Sequence, residues 1–152
     1  SSGRMTAFLV NEGAQGFTDL NGDGDLTDEV WFVHDRQLGV TTNLRLAWSP
    51  LDDYPYLYAG SDFVLLAAGE SASGQRDLNG DGDAFDQVLQ LFQAGASLPA
   101  NLGLGLAAGY PGHGNVVGRR LVIAAPESVN GDTDLNGDGD AFDRVAHVVD
   151  VP

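Results

Sequence analysis

The chain contains the same acidic segment three times, and this repetition limits the possible folds more than any other feature. The copies are DLNGDGDLTDEV at 19–30, DLNGDGDAFDQV at 77–88 and DLNGDGDAFDRV at 134–145. Their first aspartates are separated by steps of 58 and 57 residues. Glu12, Glu70 and Glu127 each lie seven residues before the first aspartate of a copy. Because several anchors recur in one register, the sequence predicts a structural repeat of about 57 residues.

The segments that flank each acidic loop have the composition of β-strands. GRMTAFLVNE, SDFVLLAAGE and GRRLVIAAPE precede the three loops and superpose without gaps, and VWFVHD, VLQLFQ and VAHVVD follow them. These runs are rich in Val, Leu and Phe and are bounded by Gly, Pro, Asn and Asp, which is typical of short strands and turns. No stretch shows a capped helical period. The sequence therefore predicts an all-β fold with four short antiparallel strands in each repeat.

Strands that are apolar on both faces indicate a sheet packed between neighbouring sheets, as in a β-propeller blade. The order of parts resembles TolB-type and other WD-like β-propellers, in which a strand like GRRLVIAAPE is followed by one like DRVAHVVDV and then by an NL-containing strand. The segment WSP at 48–50 is similar to the one that opens such blades. The resemblance implies β-propeller-like blades, with the acidic loop as an insertion. A solenoid-like open stack is the alternative.

One repeat domain is expected over 1–152, with units at approximately 1–55, 56–113 and 114–152. The first unit begins at its second strand and the last ends after its third. A propeller needs roughly four to eight blades to close, so a partial ring would expose apolar sheet faces at both ends. The expected partners are therefore neighbouring blades of a longer chain, or further copies of this chain that complete the fold by oligomerisation.

The acidic loops have the oxygen-rich pattern of a hard-cation site. Ca²⁺ takes six to eight oxygen ligands, and a glycine at position 6 (Gly24, Gly82, Gly139) permits the sharp turn around the ion. Without His or Cys in the loops, zinc and copper are disfavoured, and Mg²⁺ demands a tighter octahedron. The sequence predicts about three Ca²⁺ ions, one per loop. The candidate ligands occupy positions 1, 3, 5, 7 and 10: Asp19, Asn21, Asp23, Asp25, Asp28, Asp77, Asn79, Asp81, Asp83, Asp86, Asp134, Asn136, Asp138, Asp140 and Asp143.

The loops are similar to the D-x-N-G-D-G segments of dockerins, thrombospondin type 3 repeats and the FG-GAP blades of integrin α propellers. An EF-hand is excluded, because position 12 is Val30, Val88 or Val145 and the flanks are strands. In integrin-type loops the closing aspartate falls at position 9, whereas here it falls at position 10. The motif therefore does not decide which residue supplies the last ligand. The three glutamates could supply it or could cap the strand. A solvated turn is the competing interpretation, since Asn-Gly and Asp-Gly favour turns, but three identically spaced copies weigh against it.

Charge excludes several kinds of partner. The formal net charge is −15, with no lysine and no cysteine. Nucleic acid and anionic membrane surfaces would be repelled, and no apolar run reaches the length needed for membrane insertion. Without cysteine there is neither a disulfide framework nor a thiolate metal site.

No set of residues in the sequence has the pattern of a catalytic site. His34, His113 and His147 fall at variable positions, the pair Asp52 and Asp53 is isolated, and the tyrosines and tryptophans are interpreted as packing residues.

The preferred hypothesis is a non-enzymatic, calcium-stabilised scaffold or binding module, located outside the cell or on its surface. Two alternatives remain: an enzyme with an active site on loops 50–55 and 110–115 near a propeller axis, and an adhesion module that uses calcium to bridge a partner's carboxylate. The protein or carbohydrate ligand is not indicated.

Overall fold

A computed structural model of the protein describes residues 3–49, 57–107 and 115–152. These residues form no α-helix, and their only helical segments are two single 3-10 turns, Gly13–Gln15 and Glu127–Val129. The prediction of an all-β fold is confirmed. The strands are β1 Met5–Asn11, β2 Glu29–Asp35, β3 Val40–Trp48, β4 Leu57–Ala59, β5 Phe63–Gly69, β6 Gln87–Gln93, β7 Ala100–Leu106, β8 Asn115–Val117, β9 Arg120–Pro126 and β10 Arg144–Asp150.

The ten strands form three antiparallel sheets, each made from one stretch of chain. The first has the order β1-β2-β3, the second β4-β5-β6-β7 and the third β10-β9-β8. Only the middle sheet has four strands, and the sheets formed by the described residues do not close into a ring. Among the same residues, no helix is long and apolar enough to cross a lipid bilayer.

Each acidic loop connects two adjacent seven-residue strands of its sheet. The hairpins β1–β2, β5–β6 and β9–β10 end at the pairs Asn11↔Glu29, Gly69↔Gln87 and Pro126↔Arg144. Each connection is much longer than the about two to five residues of an ordinary hairpin loop. A loop of that length needs internal structure of its own, and the three loops occupy the same place in their sheets.

The middle sheet is packed on both faces. Successive side chains of a strand point to opposite sides, and each side of this sheet meets a neighbouring sheet. All seven residues of β5 are buried. Phe63, Leu65 and Ala67 pack in a cluster with residues of the third sheet, including Leu121 and Ile123. The intervening residues of β5 pack in a second cluster with residues of the first sheet: Val64, Leu66 and Ala68 against Met5, Trp31, Val33, Leu44 and Leu46. Two apolar layers therefore hold three sheets in a stack.

Polar contacts between the sheets repeat at both junctions. Ser73 lies three residues after Glu70, and its Oγ accepts a hydrogen bond from the main-chain N–H of Ala47 (3.0 Å). Asn130 lies three residues after Glu127, and its Oδ1 accepts one from the N–H of Gly105 (2.9 Å). Ala47 and Gly105 are equivalent positions in the repeat. The junction between the first and second sheets and the junction between the second and third are thus built in the same way.

Candidate metal centre

The aspartate at position 1 folds the beginning of each acidic loop. In the first loop, Asp19 Oδ1 accepts the N–H of Gly22 (2.6 Å) and Oδ2 accepts that of Gly24 (3.2 Å). Asp77 and Asp134 make the same pairs of bonds in the second and third loops. The glycine at position 6 has φ values of 100°, 101° and 105° in the three loops. A side chain is strained in this conformation, so the predicted need for glycine is met.

The following carboxylate and amide oxygens continue this pattern along the loop. In the second loop, Asn79 Oδ1 accepts the N–H of Asp81 (3.2 Å), and Asp81 Oδ1 accepts that of Asp83 (3.1 Å). Asp83 Oδ1 then accepts the N–H of Phe85 (3.0 Å). The alternating polar residues therefore wind the backbone tightly, each with one side-chain oxygen. The second oxygen of Asp81 also has a partner, since it accepts a hydrogen bond from Asn79 Nδ2 (3.2 Å).

The glutamate before each loop joins the beginning of the loop to its end. Glu70 is fully buried; its Oε1 accepts the N–H of Leu78 (2.6 Å) and its Oε2 accepts that of Asp86 (2.9 Å). Glu12 and Glu127 are equally buried and make the equivalent bonds. A buried carboxylate costs several kcal/mol unless donors satisfy it, and here main-chain donors from both ends of the loop do so. The glutamates therefore hold the loops closed, a role that spacing alone left open.

Carboxylate oxygens from three residues of each loop region converge. The groups are Glu12 with Asp25 and Asp28, Glu70 with Asp83 and Asp86, and Glu127 with Asp140 and Asp143, and within each group the oxygens lie within 4.8 Å of one another. Two like charges about 4 Å apart repel by about 1 kcal/mol in water and by more where water is excluded. Each triad is thus an arrangement of hard oxygen atoms that a cation would stabilise.

The structure assigns two roles to the fifteen residues singled out from the sequence. Those at positions 7 and 10 belong to the triads: Asp25, Asp28, Asp83, Asp86, Asp140 and Asp143. The others lie outside the triads and shape the loops through hydrogen bonds: Asp19, Asn21, Asp23, Asp77, Asn79, Asp81, Asp134, Asn136 and Asp138. The glutamates complete each triad, and their constant distance from the loops was the sequence signal for them.

The asparagine at position 3 directs its amide nitrogen, not its oxygen, toward the triad. Asn79 Nδ2 donates to Asp86 Oδ2 (3.0 Å) and also to the main-chain oxygen of Val129 (2.9 Å). Asn21 makes the equivalent bonds to Asp28 Oδ2 and to the oxygen of Ala72, each at 2.9 Å. Val129 and Ala72 lie in the turn after the glutamate of the next repeat. This residue therefore orients the closing aspartate and ties its loop to the neighbouring repeat.

The pKa of the closing aspartate, at position 10, is raised in all three loops. Burial, followed by contact with the Asp81 carboxyl and the negative charges of Asp81 and Glu70, raises the pKa of Asp86 to about 7. Burial, together with contact with Asp23, raises the pKa of Asp28 to about 7, although the Asn21 amide opposes the shift. At the third loop, contact with the Asp138 carboxyl raises the pKa of Asp143. In all three loops the position 10 carboxyl therefore holds its proton more tightly than an ordinary aspartate does.

These shifts predict how the stability of the metal-free chain depends on pH. A carboxyl whose pKa is about 7 in the folded chain and near 4 in the unfolded chain stabilises the fold below pH 4, and this stability is lost as pH rises through 7. In a chelator, the thermal midpoint is expected to be higher at pH 5 than at pH 8. With a divalent cation bound at the triads the order would reverse, because a metal ion binds carboxylates in their deprotonated form.

Asp86→Asn provides the control for this pH experiment, because it removes one of the two groups whose pKa lies near 7. Its midpoint in chelator should change less between pH 5 and pH 8 than that of the unsubstituted chain. Asp35, whose pKa the guanidinium of Arg4 lowers to about 2, titrates outside this range and should not contribute. A chelated chain that is more stable at pH 8 than at pH 5 would contradict the interpretation.

The three loops differ in how far the next repeat covers them. Asn21 is 2% exposed and Asp28 is buried, whereas Asn136 and Asp143 are exposed. The turn that follows the glutamate of the next sheet packs on the first two loops, and a Cβ added at Gly74 would lie only 2.9 Å from the Cβ of Asp23. Among the described residues, nothing covers the third loop in this way.

The residues considered for catalysis are scattered or lie outside the described part of the chain. His34 Nδ1 pairs with Thr41 Oγ1 on the surface, and Nε2 of the half-buried His147 has no hydrogen-bond partner among the described residues. Trp31 lies in the core, as predicted for a packing residue. Tyr58 and Trp48 pack against the two core clusters. Six further candidates lie outside the described residues: Asp52, Asp53, Tyr54, Tyr56, Tyr110 and His113.

No protein-family model, no curated protein and no solved structure matches this chain. The case for its function therefore depends on the geometry of the three loops.

Proposed function

We propose that the chain is a calcium-stabilised β-repeat module in which each acidic loop binds one Ca²⁺. The observation that carries the proposal is the carboxylate triad, built three times on a fully buried glutamate at the same place in each sheet. One such cluster on a surface would have little weight. Three clusters with equivalent hydrogen bonds indicate that the same chemistry is required in every repeat.

The donor set favours calcium over other cations. Every converging atom is a carboxylate oxygen, which suits a hard ion and not zinc or copper. Water and further oxygens of the loop can complete a shell of six to eight ligands, with the irregular geometry that Ca²⁺ accepts and Mg²⁺ does not. The ion would convert the repulsion within each triad into attraction and order the long hairpin.

Calcium at the first two loops would also stiffen the stack of sheets. Asn21 and Asn79 each connect a closing aspartate to a main-chain oxygen of the next sheet. An ion that holds the aspartate in place would hold this connection as well. The module is proposed to be a non-enzymatic scaffold or binding surface, with its sheets acting as blades of a propeller. Extracellular modules bind calcium with affinities of roughly 10⁻⁴ to 10⁻³ M, so the location proposed is outside the cell or on its surface.

Of the two alternatives, adhesion through calcium has a supporting observation and the enzyme does not. The exposed third loop would leave a bound ion accessible to a partner's carboxylate. The residues proposed for an active site, His113 with Asp52 and Asp53, lie outside the described part of the chain. The scaffold remains the proposal because the first two loops are covered.

Isothermal titration calorimetry of chelated protein with Ca²⁺ tests the proposal. Three bound equivalents are expected, and Asp86→Asn should lose one of them or weaken it at least about tenfold, since a triad carboxylate is removed. Asp150→Asn, at an exposed aspartate outside the loops, is the matched control and should keep all three. Binding of Mg²⁺ in preference to Ca²⁺, or no binding at millimolar calcium, would overturn the proposal.

A further inference from the structure

Between residues 3–49, 57–107 and 115–152 there are two complete junctions between sheets and the two separate halves of a third. In each complete junction, the loop asparagine donates to the main-chain oxygen two residues after the next glutamate, as Asn21 does to Ala72 and Asn79 to Val129. The third loop carries the same donor, Asn136, which is exposed. The matching acceptor in the first repeat is the main-chain oxygen of Ala14, two residues after Glu12, and Ala14 is also exposed.

The turn after Glu12 has the shape of the turns that cover the other loops. Phe17, Gln75 and Asp132 lie five residues after their glutamates and all have positive φ, at 56°, 56° and 47°. At the second loop, a Cβ added to Gly131 would lie 3.1 Å from the Cβ of Asp81, so that turn packs closely on the loop. At the equivalent Gly16 an added Cβ would have nothing within 4 Å. The first turn is therefore formed, but no loop in the described part of the chain packs against it.

The outer faces of the first and third sheets would supply the apolar part of this third junction. Val122 and Val148 of the third sheet are 41% and 62% exposed, whereas the equivalent Leu65 and Leu91 of the middle sheet are buried. On the outer face of the first sheet, Phe8 is 39% exposed and stacks on Phe32 with ring centroids 6.0 Å apart. Exposed apolar residues grouped on a sheet face indicate an interaction surface.

The two faces are also matched in side-chain size. The outer face of the third sheet presents small side chains, Ala124 and Ala146 beside the two valines, and the outer face of the first sheet presents large aromatic ones. Large residues packed against small ones fill an interface without voids, as they do in a protein core.

We infer that a second copy of this chain docks head to tail, with the third sheet and third loop of one copy against the first sheet and the Ala14 turn of the other. The occupant is a second copy because the chain carries both halves of a contact that it already makes twice internally. Such a contact is heterologous and builds a ring or a filament. It uses three strands from each sheet, and Asn136 of one copy donates to the Ala14 oxygen of the next.

The inference rests on the proposed function in one respect, namely that calcium orders the third loop and reduces repulsion between copies of net charge −15. Association is therefore expected to be stronger in calcium than in chelator. The apolar faces and the asparagine contact do not themselves require the ion.

Analytical ultracentrifugation of complementary variants tests the inference. Val148→Asp disables the outer face of the third sheet, and Ala14→Glu disables the turn of the first repeat; both positions are exposed, so folding should be retained and is checked by circular dichroism. In calcium, the unsubstituted chain should associate as its concentration rises from micromolar toward millimolar. Each variant alone should remain a monomer. An equimolar mixture should form a dimer of twice the monomer mass, because each variant supplies the half that the other lacks.

Leu98→Asp, at an exposed leucine away from both faces, is the control and should associate like the unsubstituted chain. A chain that stays monomeric at all concentrations, or variants that associate normally, would overturn the inference, and so would a mixture that remains monomeric. Calorimetry on the same samples separates the two proposals. Calcium binding without association overturns this inference alone, whereas association without calcium binding overturns the proposed function alone.

Discussion

Chelation of calcium is expected to lower the thermal midpoint of the chain by many degrees, and this is the largest effect that the structure predicts. An ion that binds only the folded chain stabilises it by about 1.4 kcal/mol per site when its free concentration is about ten times the dissociation constant, so that three sites together contribute about 4 kcal/mol. For a chain of this size, each kcal/mol corresponds to a shift of about 2–4 °C. Thermal unfolding followed by circular dichroism in chelator and in millimolar calcium measures the effect.

Three matched variants distinguish the loops in this experiment. Asp28→Asn and Asp86→Asn should each remove a large part of the calcium-dependent shift, because their loops are covered by the next sheet. Asp143→Asn should remove less, since the third loop is exposed and its ordering supports no junction between sheets within one chain. In chelator, Asp86→Asn should be at least as stable as the unsubstituted chain, because a source of repulsion is gone. A midpoint that does not respond to calcium would refute the metal sites altogether.

Glu70→Gln is expected to destabilise the chain both in calcium and in chelator. The carboxylate accepts main-chain N–H groups of Leu78, Asn79 and Asp86 in a fully buried position. Glutamine has the same shape but replaces one acceptor oxygen with a donor, which leaves a buried N–H without a partner at a cost of about 1–3 kcal/mol. Loss of the charge-assisted bonds adds to this cost. Urea unfolding at constant calcium concentration measures the change.

Glu29→Gln is the matched control, because Glu29 is the remaining glutamate of the chain and is only partly buried. It should change the free energy of unfolding little. Equal effects of the two substitutions would show that Glu70 does not hold the loop closed. The comparison in chelator also separates two roles: a residue that served only as a calcium ligand would lose its effect there, whereas a residue that closes the loop through hydrogen bonds would keep it.

Much of the architecture could be predicted because it depends on local patterns. The repeat, the strands and the position of each acidic loop follow from periodicity and from turn residues, which act over a few neighbours. The positive φ of Gly24, Gly82 and Gly139 follows from the spacing of the loop motif. The burial of β5 on both faces is indicated by an uninterrupted apolar run from Phe63 to Gly69.

The identity of the converging atoms could not be predicted in the same way. Loop spacing predicts Asp19 and Asn21 among the ligands, and this stays a prediction. In the structure Asp19 turns the backbone and Asn21 directs its amide nitrogen to Asp28 and Ala72. The direction of an amide depends on the donor and acceptor atoms that surround it, and one of these belongs to another repeat. Sequence spacing contains no information about that neighbour.

The sequence by itself determined that the chain would form repeated antiparallel sheets with an acidic hairpin loop in each, because strand alternation and glycine-rich turns are local properties of the backbone. Only the tertiary structure decided that Glu12, Glu70 and Glu127 are buried between the two ends of their loops and that the third loop differs from the others. The physical reason is that burial and electrostatic interaction depend on what packs against a residue. The first two loops have a following sheet to cover them, and the third meets solvent among the described residues.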